Sequence, residues 1–172
     1  MAGPGAAHGC AGRYGGGCVM LGVMIAMSLA SGLVAGVFYG FSDFIMRSLR
    51  AVPEGAAAMV SINRVILRSS FVPLLIGLGP VALALAAWAY WAGGSLWGVA
   101  AGVIYAFGVV GVTIVGNVPL NNRLDRAADP ATVWADYLAR WTPLNTLRTV
   151  AAAAASLCYL QAALAIAGQA VT

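Results

Sequence analysis

The chain has 172 residues, 62% of them apolar and only 8% charged, with nine Arg, no Lys, five acids and a formal charge of +4. Soluble domains sit nearer 45–50% apolar and about 25% charged, so this composition excludes a water-soluble globular fold and describes one small integral membrane domain. The Arg residues are dispersed with no basic run, which excludes a nucleic-acid-binding footprint.

Residues 1–17 form a Gly/Ala-rich leader, expected to be flexible. Three charge-free stretches follow Arg13: Tyr14–Ser42, positions 69–122, and Thr149 to the C-terminus. About 20 apolar residues cross about 30 Å of hydrocarbon, so the middle stretch crosses twice and the total is four spans. The first, over about 18–41, is too long for a signal-peptide core of about 7–15 residues and reads as uncleaved. Its Gly32 and Gly36 have the four-residue spacing that lets helix backbones approach closely, expected here to serve packing within the bundle. After a loop from Ser42, Pro53 and Glu54 favour a new helix start. Met59, Ile62, Val65 and Ile66 recur on it at helical spacing, and it is expected to run on into a second span over about 71–92.

Pro73 and Pro80 are expected to kink that second span. Ala92–Ser95 is a short hairpin link crowded by Trp88, Tyr90, Trp91 and Trp97, as in an interfacial aromatic belt. A third span covers about 96–116. In the polar loop from Asn117 to Thr146, Asp129-Pro130 precedes a second amphipathic helix with Trp134, Tyr137, Leu138 and Trp141. The fourth span covers about 147–169. The expected fold is an all-α, four-span bundle over residues 18–172, with a short amphipathic helix in each long loop. Eight of the nine Arg belong to those two loops. The positive-inside rule then places both loops in the cytoplasm and both termini outside, across a bacterial cytoplasmic membrane.

Metal and haem ligands are scarce. Cys10, Cys18 and Cys158 lack metal-like spacing, and the one histidine, His8, lies in the leader. Three polar clusters remain at the loop ends of the spans. They are Asn63-Arg64, then Asn117 to Arg123 with Asn121 inside it, then Trp141 to Arg148 with Asn145 inside it. Arg residues at a bilayer edge often only snorkel, and Arg47, Arg50, Arg68, Arg123 and Arg126 are read that way. A buried Asn must find hydrogen-bond partners, so several converging at one end of a bundle suggest the floor of a pocket. Asn117-Val118-Pro119 is equally consistent with a turn that ends the third span.

The order of these clusters resembles the anthrone oxygenase-like family of small membrane proteins. The resemblance runs from about Gly32 to Ala165. Asn117-Val118-Pro119-Leu120-Asn121 carries most of it, Asn145 and Arg148 match next best, and Asn63-Arg64 match more weakly. Many relatives carry His directly after the Asn that aligns with Asn145; here that position is Thr146, so the chemistry must proceed without that imidazole. The resemblance implies a four-helix membrane protein. Some members of the family oxidise polyketide anthrones to anthraquinones with O2.

Such a reaction suits this inventory. An anthrone has an acidic C–H, and its anion passes an electron directly to O2, so no metal or flavin is required and O2 is the co-substrate. Under the resemblance Arg148, Asn145 and Asn117 would be catalytic, as oxyanion donors and their supports. Asn63, Arg64, Asn121 and Trp141 would bind the substrate, a hydrophobic aromatic small molecule reaching the protein through the bilayer. Losing one oxyanion donor typically costs about 2.7–4 kcal/mol of barrier. Asp43, Asp136 and Tyr39 are candidate bases, although Asp43 is placed to pair with Arg47 and Asp136 with Arg140. The rival reading is a non-catalytic scaffold, forming a homo-oligomer or serving a larger membrane complex. That reading expects the region around Asn117 and Arg148 to be solidly packed, whereas an oxygenase needs an apolar cavity there.

Overall fold

The computed structural model describes residues 8–169, and side chains from Gly16 onward. It is all-α, with no strand among the described residues. Helix α1 (His8–Gly40) passes through a π-helical turn (Phe41–Ile45) into α2 (Met46–Arg50). Then come α3 (Gly55–Ile66) and α4 (Phe71–Trp91). Helix α5 (Leu96–Val103) continues through π-helical segments (Ile104–Gly111 and Thr113–Asn117) into α6 (Val118–Arg126). Helix α7 (Ala131–Gln169) completes the described chain. Four helices are long and apolar enough to cross a membrane: Gly16–Arg50, Phe71–Trp91, Leu96–Arg126 and Ala131–Gln169.

The four-span expectation stands, and the boundaries move. Helix α1 begins at His8, inside the segment expected to be a flexible leader, and residues 1–7 lie outside the described residues. Spans one and three do not stop at the polar loops but continue helically to Arg50 and Arg126. The second amphipathic helix is not a separate element. It is the first turns of α7, because Pro143 is accommodated inside that helix without ending it. Helix α3 starts at Gly55 rather than Pro53 and does not run into span two. Ser69 separates them: its hydroxyl donates to the Ile66 carbonyl at 2.7 Å and accepts from the Phe71 N–H at 3.2 Å, closing one helix and opening the next. At the opposite end of the bundle Gly93, with φ of +64°, makes the tight α4–α5 hairpin. Trp88, Tyr90, Trp91 and Trp97 are all exposed around it, as an interfacial belt requires.

Small residues set how closely the spans pack. Helices α1 and α7 form the most extensive pair. Ser28 donates to the Ser156 carbonyl at 2.9 Å and Ser156 to the Ser28 carbonyl at 2.8 Å. Gly102 of α5 lies so near α4 that a Cβ would fall 2.2 Å from the Ala82 carbonyl oxygen. Such close approach is how helices associate in lipid, where the hydrophobic effect does not drive them together. Two apolar clusters result. One fills the membrane bundle around Met24, Val34, Tyr105, Val109 and Tyr159. The other caps its Arg-rich end with Met46, Met59, Leu124, Tyr137 and Trp141. Of the polar residues singled out above, Asn63, Asn121, Asn145 and Arg148 gather where the two clusters meet.

Candidate active site

Trp141, Asn145 and Arg148 occupy positions i, i+4 and i+7 of α7, so one helical face presents all three inward. Asn145 is fully buried and Arg148 is 5% exposed. Asn145 Nδ2 donates to the Phe38 carbonyl and to Ser42 Oγ, both at 2.7 Å. Its Oδ1 accepts from Arg148 Nη2 at 2.7 Å. The second guanidinium arm, Nη1, reaches Thr113 Oγ1 at 3.2 Å, and that hydroxyl donates to the Val109 carbonyl at 2.7 Å. The guanidinium carbon lies 4.1 Å from the centre of the Phe38 ring and 5.5 Å from that of Trp141, within cation–π range of both.

Asn121 fixes Trp141 from outside. Its Oδ1 accepts from Trp141 Nε1 at 2.8 Å and from the Tyr137 hydroxyl at 2.9 Å. Trp141 also stacks on Tyr137, with ring centroids 6.0 Å apart. Asn117 is buried behind this layer and donates to the Trp141 carbonyl at 3.3 Å. Ser42, Thr113 and Asn117 all lie on π-helical turns. Such turns recur at functional sites, where the extra residue per turn re-aims side chains.

Between the two apolar clusters lies a cavity of about 180 Å³. Its walls are mostly apolar, from Phe38, Phe41, Met59, Leu75 and their neighbours, and its polar lining comes from Asn63, Thr113, Asn121, Asn145 and Arg148, with Trp141 beside them. Arg148 brings a full positive charge to this wall. None of the ion pairs among the described residues includes it, and no carboxylate lines the cavity. A buried charge without a counter-charge is costly, which makes this wall the candidate site. Arg148 Nε and Asn63 Nδ2 are also buried with no hydrogen-bond acceptor.

The expected site residues thus divide. Asn63, Asn121, Trp141, Asn145 and Arg148 converge on the cavity, and Asn117 supports it from behind. Arg64 does not reach it; its Nε donates to Asp125 at 2.7 Å on the surface. The candidate bases are also elsewhere: Asp43 pairs with Arg47, Asp136 with Arg123 and Arg140, and Tyr39 is exposed. Thr146 donates to Ser42 Oγ at 3.0 Å, outside the cavity wall. Sequence reasoning missed Phe38, Ser42 and Thr113. Thr113 had a signal, since it is the only Ser or Thr between Ser95 and Arg123.

A family model, described as anthrone oxygenase, matches residues 64–158. The chain belongs to the anthrone oxygenase family. The matched segment begins on α3 and ends on α7, and contains Thr113, Asn117, Asn121, Trp141, Asn145 and Arg148. Asn63 lies one residue before it, and Phe38 of α1 and Ser42 of the π-helical turn after it lie well ahead of it. No curated protein and no solved structure matches the chain.

Proposed function

We propose that this anthrone oxygenase family member oxidises an anthrone-like polycyclic phenolic, of polyketide type, to a quinone with O2 and without metal or flavin. The observation that carries the reading is the buried Arg148 guanidinium, lacking any carboxylate partner, in the wall of an apolar cavity. An uncompensated cation in a low-dielectric pocket favours whichever bound species is negative. The anion of an anthrone is such a species: flat, apolar, and charged mainly on one oxygen.

The sequence of events follows from that. The benzylic C–H loses its proton to water, made easier by the charge of Arg148 on the developing oxyanion. Asn145 and Thr113 hold the guanidinium arms, and Phe38 and Trp141 lie within reach of its face. The electron-rich anion gives one electron to O2, leaving a carbon radical and superoxide. These recombine to form the C–O bond, and protonation gives a hydroperoxide. Loss of water then breaks the O–O bond and leaves the new carbonyl, so one O2 yields one quinone oxygen and one water. The protein orients the ring, stabilises the anion and keeps the radical pair in a confined space. The Arg-rich end of the bundle, with the two long loops, faces the cytoplasm in this reading.

The test is oxygen uptake by the purified protein with a simple anthrone, with and without chelator. Chelator-insensitive quinone formation above the spontaneous rate is expected. A rate no higher than background from folded protein would leave the family assignment in place and refute this chemistry.

A further inference from the structure

The cavity has a definable opening. Of its lining residues, three are exposed on the outside of the bundle: Leu67 (71% exposed), Ile76 (37%) and Val118 (39%). They come from the break between α3 and α4, from the second turn of α4, and from the start of α6. Helix α3 packs on α6, and α4 packs on α5 and its π-helical continuation. The exposed part of the lining thus comes from around the first turns of α4 and the start of α6. All three residues are apolar, and Ile76 and Val118 lie on helices long and apolar enough to cross a membrane, which points this side of the cavity toward lipid.

Toward the second apolar cluster, Met59 and Trp141 are buried, and Asn121 pins the Trp141 indole at 2.8 Å while Tyr137 stacks against it. A molecule arriving from the aqueous loops would have to break that network, whereas one arriving from the bilayer meets only aliphatic side chains. Size adds a second consequence. A cavity of about 150 Å³ holds benzene, and this one is about 180 Å³. A three-ring aromatic is larger than that, so part of it must remain in the opening.

We propose that Leu67, Ile76 and Val118 form a bilayer-facing door that admits the neutral, lipid-partitioned form of the substrate and then packs against the ring farthest from the reacting carbon. The anion forms only inside, beside Arg148. These three residues therefore set which polycycles are accepted. This inference rests on the functional reading above, in that the cargo is taken to be a polycyclic aromatic.

The experiment uses the protein in lipid nanodiscs and two quinone probes, a dialkyl naphthoquinone and anthraquinone, followed by quenching of intrinsic Trp emission in stopped flow. The variants are Ile76→Phe and Val118→Phe. Val150→Phe, on the exposed outer face of α7 and away from the cavity, is the control. For the two-ring probe, narrowing the door should slow association and dissociation together by about fivefold or more and leave Kd unchanged. For the three-ring probe it should also weaken Kd by about fivefold or more, because the protruding ring loses its place. Wild-type rates and affinities in both door variants would overturn the door alone. Failure of either quinone to bind the wild-type protein would overturn the aromatic-ligand reading beneath it, and the door with it.

Discussion

Two buried polar clusters join α1 to α7, and they differ in kind. Within the spans, Ser28 and Ser156 exchange reciprocal hydrogen bonds to each other's carbonyls. That pair is neutral and short, and neither residue lines the cavity. Toward the Arg-rich end, Asn145 ties Phe38 and Ser42 of one helix to Arg148 of the other, and the network ends in a charge beside a void. Both clusters join the same helices. Only the second leaves a charge without a counter-charge and space for another molecule to supply it. Buried polarity in a membrane bundle is often just a fastener; it points to chemistry where the fastening is incomplete and faces a cavity. Ser31 and Tyr159 sharpen the point, since each has a buried hydroxyl without a partner, yet neither carries charge nor lines the cavity.

The comparison predicts a ranking of substitutions. Arg148→Met should have the largest functional effect, lowering kcat/KM by roughly 100-fold or more, in line with the loss of one oxyanion donor. Its thermal midpoint should change little, because removing an unpaired buried charge offsets the loss of the donor to Asn145 Oδ1. Steady-state oxygen uptake and a melt in detergent check both halves. A large fall in stability would instead assign Arg148 to the architecture.

Asn145→Asp comes next. The new carboxylate would pair with the guanidinium at the position where Oδ1 now accepts. Activity should fall by roughly 10- to 100-fold while folding survives, since the pocket loses its net charge. Asn145→Ala should lose activity and also about 1–3 kcal/mol of stability, because the guanidinium arm loses its acceptor and the Phe38 carbonyl its donor. An Asn145→Ala protein as stable as wild type would contradict the assigned hydrogen bonds.

Asn121→Ala should act more mildly, and mainly on KM. It leaves the Tyr137 hydroxyl and Trp141 Nε1 without their shared acceptor and frees the indole that walls the cavity. A several-fold rise in KM with kcat nearly kept is the expected split. The smallest effect belongs to the other cluster. The double variant Ser28→Ala, Ser156→Ala should cost roughly 0.6 kcal/mol per hydrogen bond, the average for such bonds in membrane bundles, and leave the rate as in wild type. A rate effect there would mean that the two clusters are coupled.

Much of this was legible in the sequence, for identifiable reasons. Charge-free runs set the four spans, because lipid permits helices and excludes exposed backbone polar groups. The Asn117–Asn121 motif and the Trp141–Asn145–Arg148 spacing pointed to residues that the fold brings together at one cavity, with Asn117 just behind it. Arg64 was misplaced because a cationic side chain next to a matching Asn says nothing about direction; one position of helical rotation turns it out to Asp125. Asp43 and Asp136 went to surface ion pairs rather than to the pocket. Phe38 and Ser42 were invisible because their role depends on which face of α1 meets α7, roughly a hundred positions away in sequence. The π-helical turns that re-aim Ser42, Thr113 and Asn117 left no mark in the hydrophobic pattern, since an extra residue in a turn does not alter composition.

In the proposed reaction Arg148 stabilises a negative charge on the bound ring system. That role is tested most directly without turnover, by titrating a bound hydroxyanthraquinone whose hydroxyl lies away from its carbonyls and whose visible colour reports ionisation. On wild-type protein the midpoint should fall by about one pH unit or more relative to empty detergent, equivalent to about 1.4 kcal/mol of preference for the anion. On Arg148→Met, with binding retained, the midpoint should not fall. An unshifted midpoint on wild type, or the same downward shift on both proteins, would contradict the account.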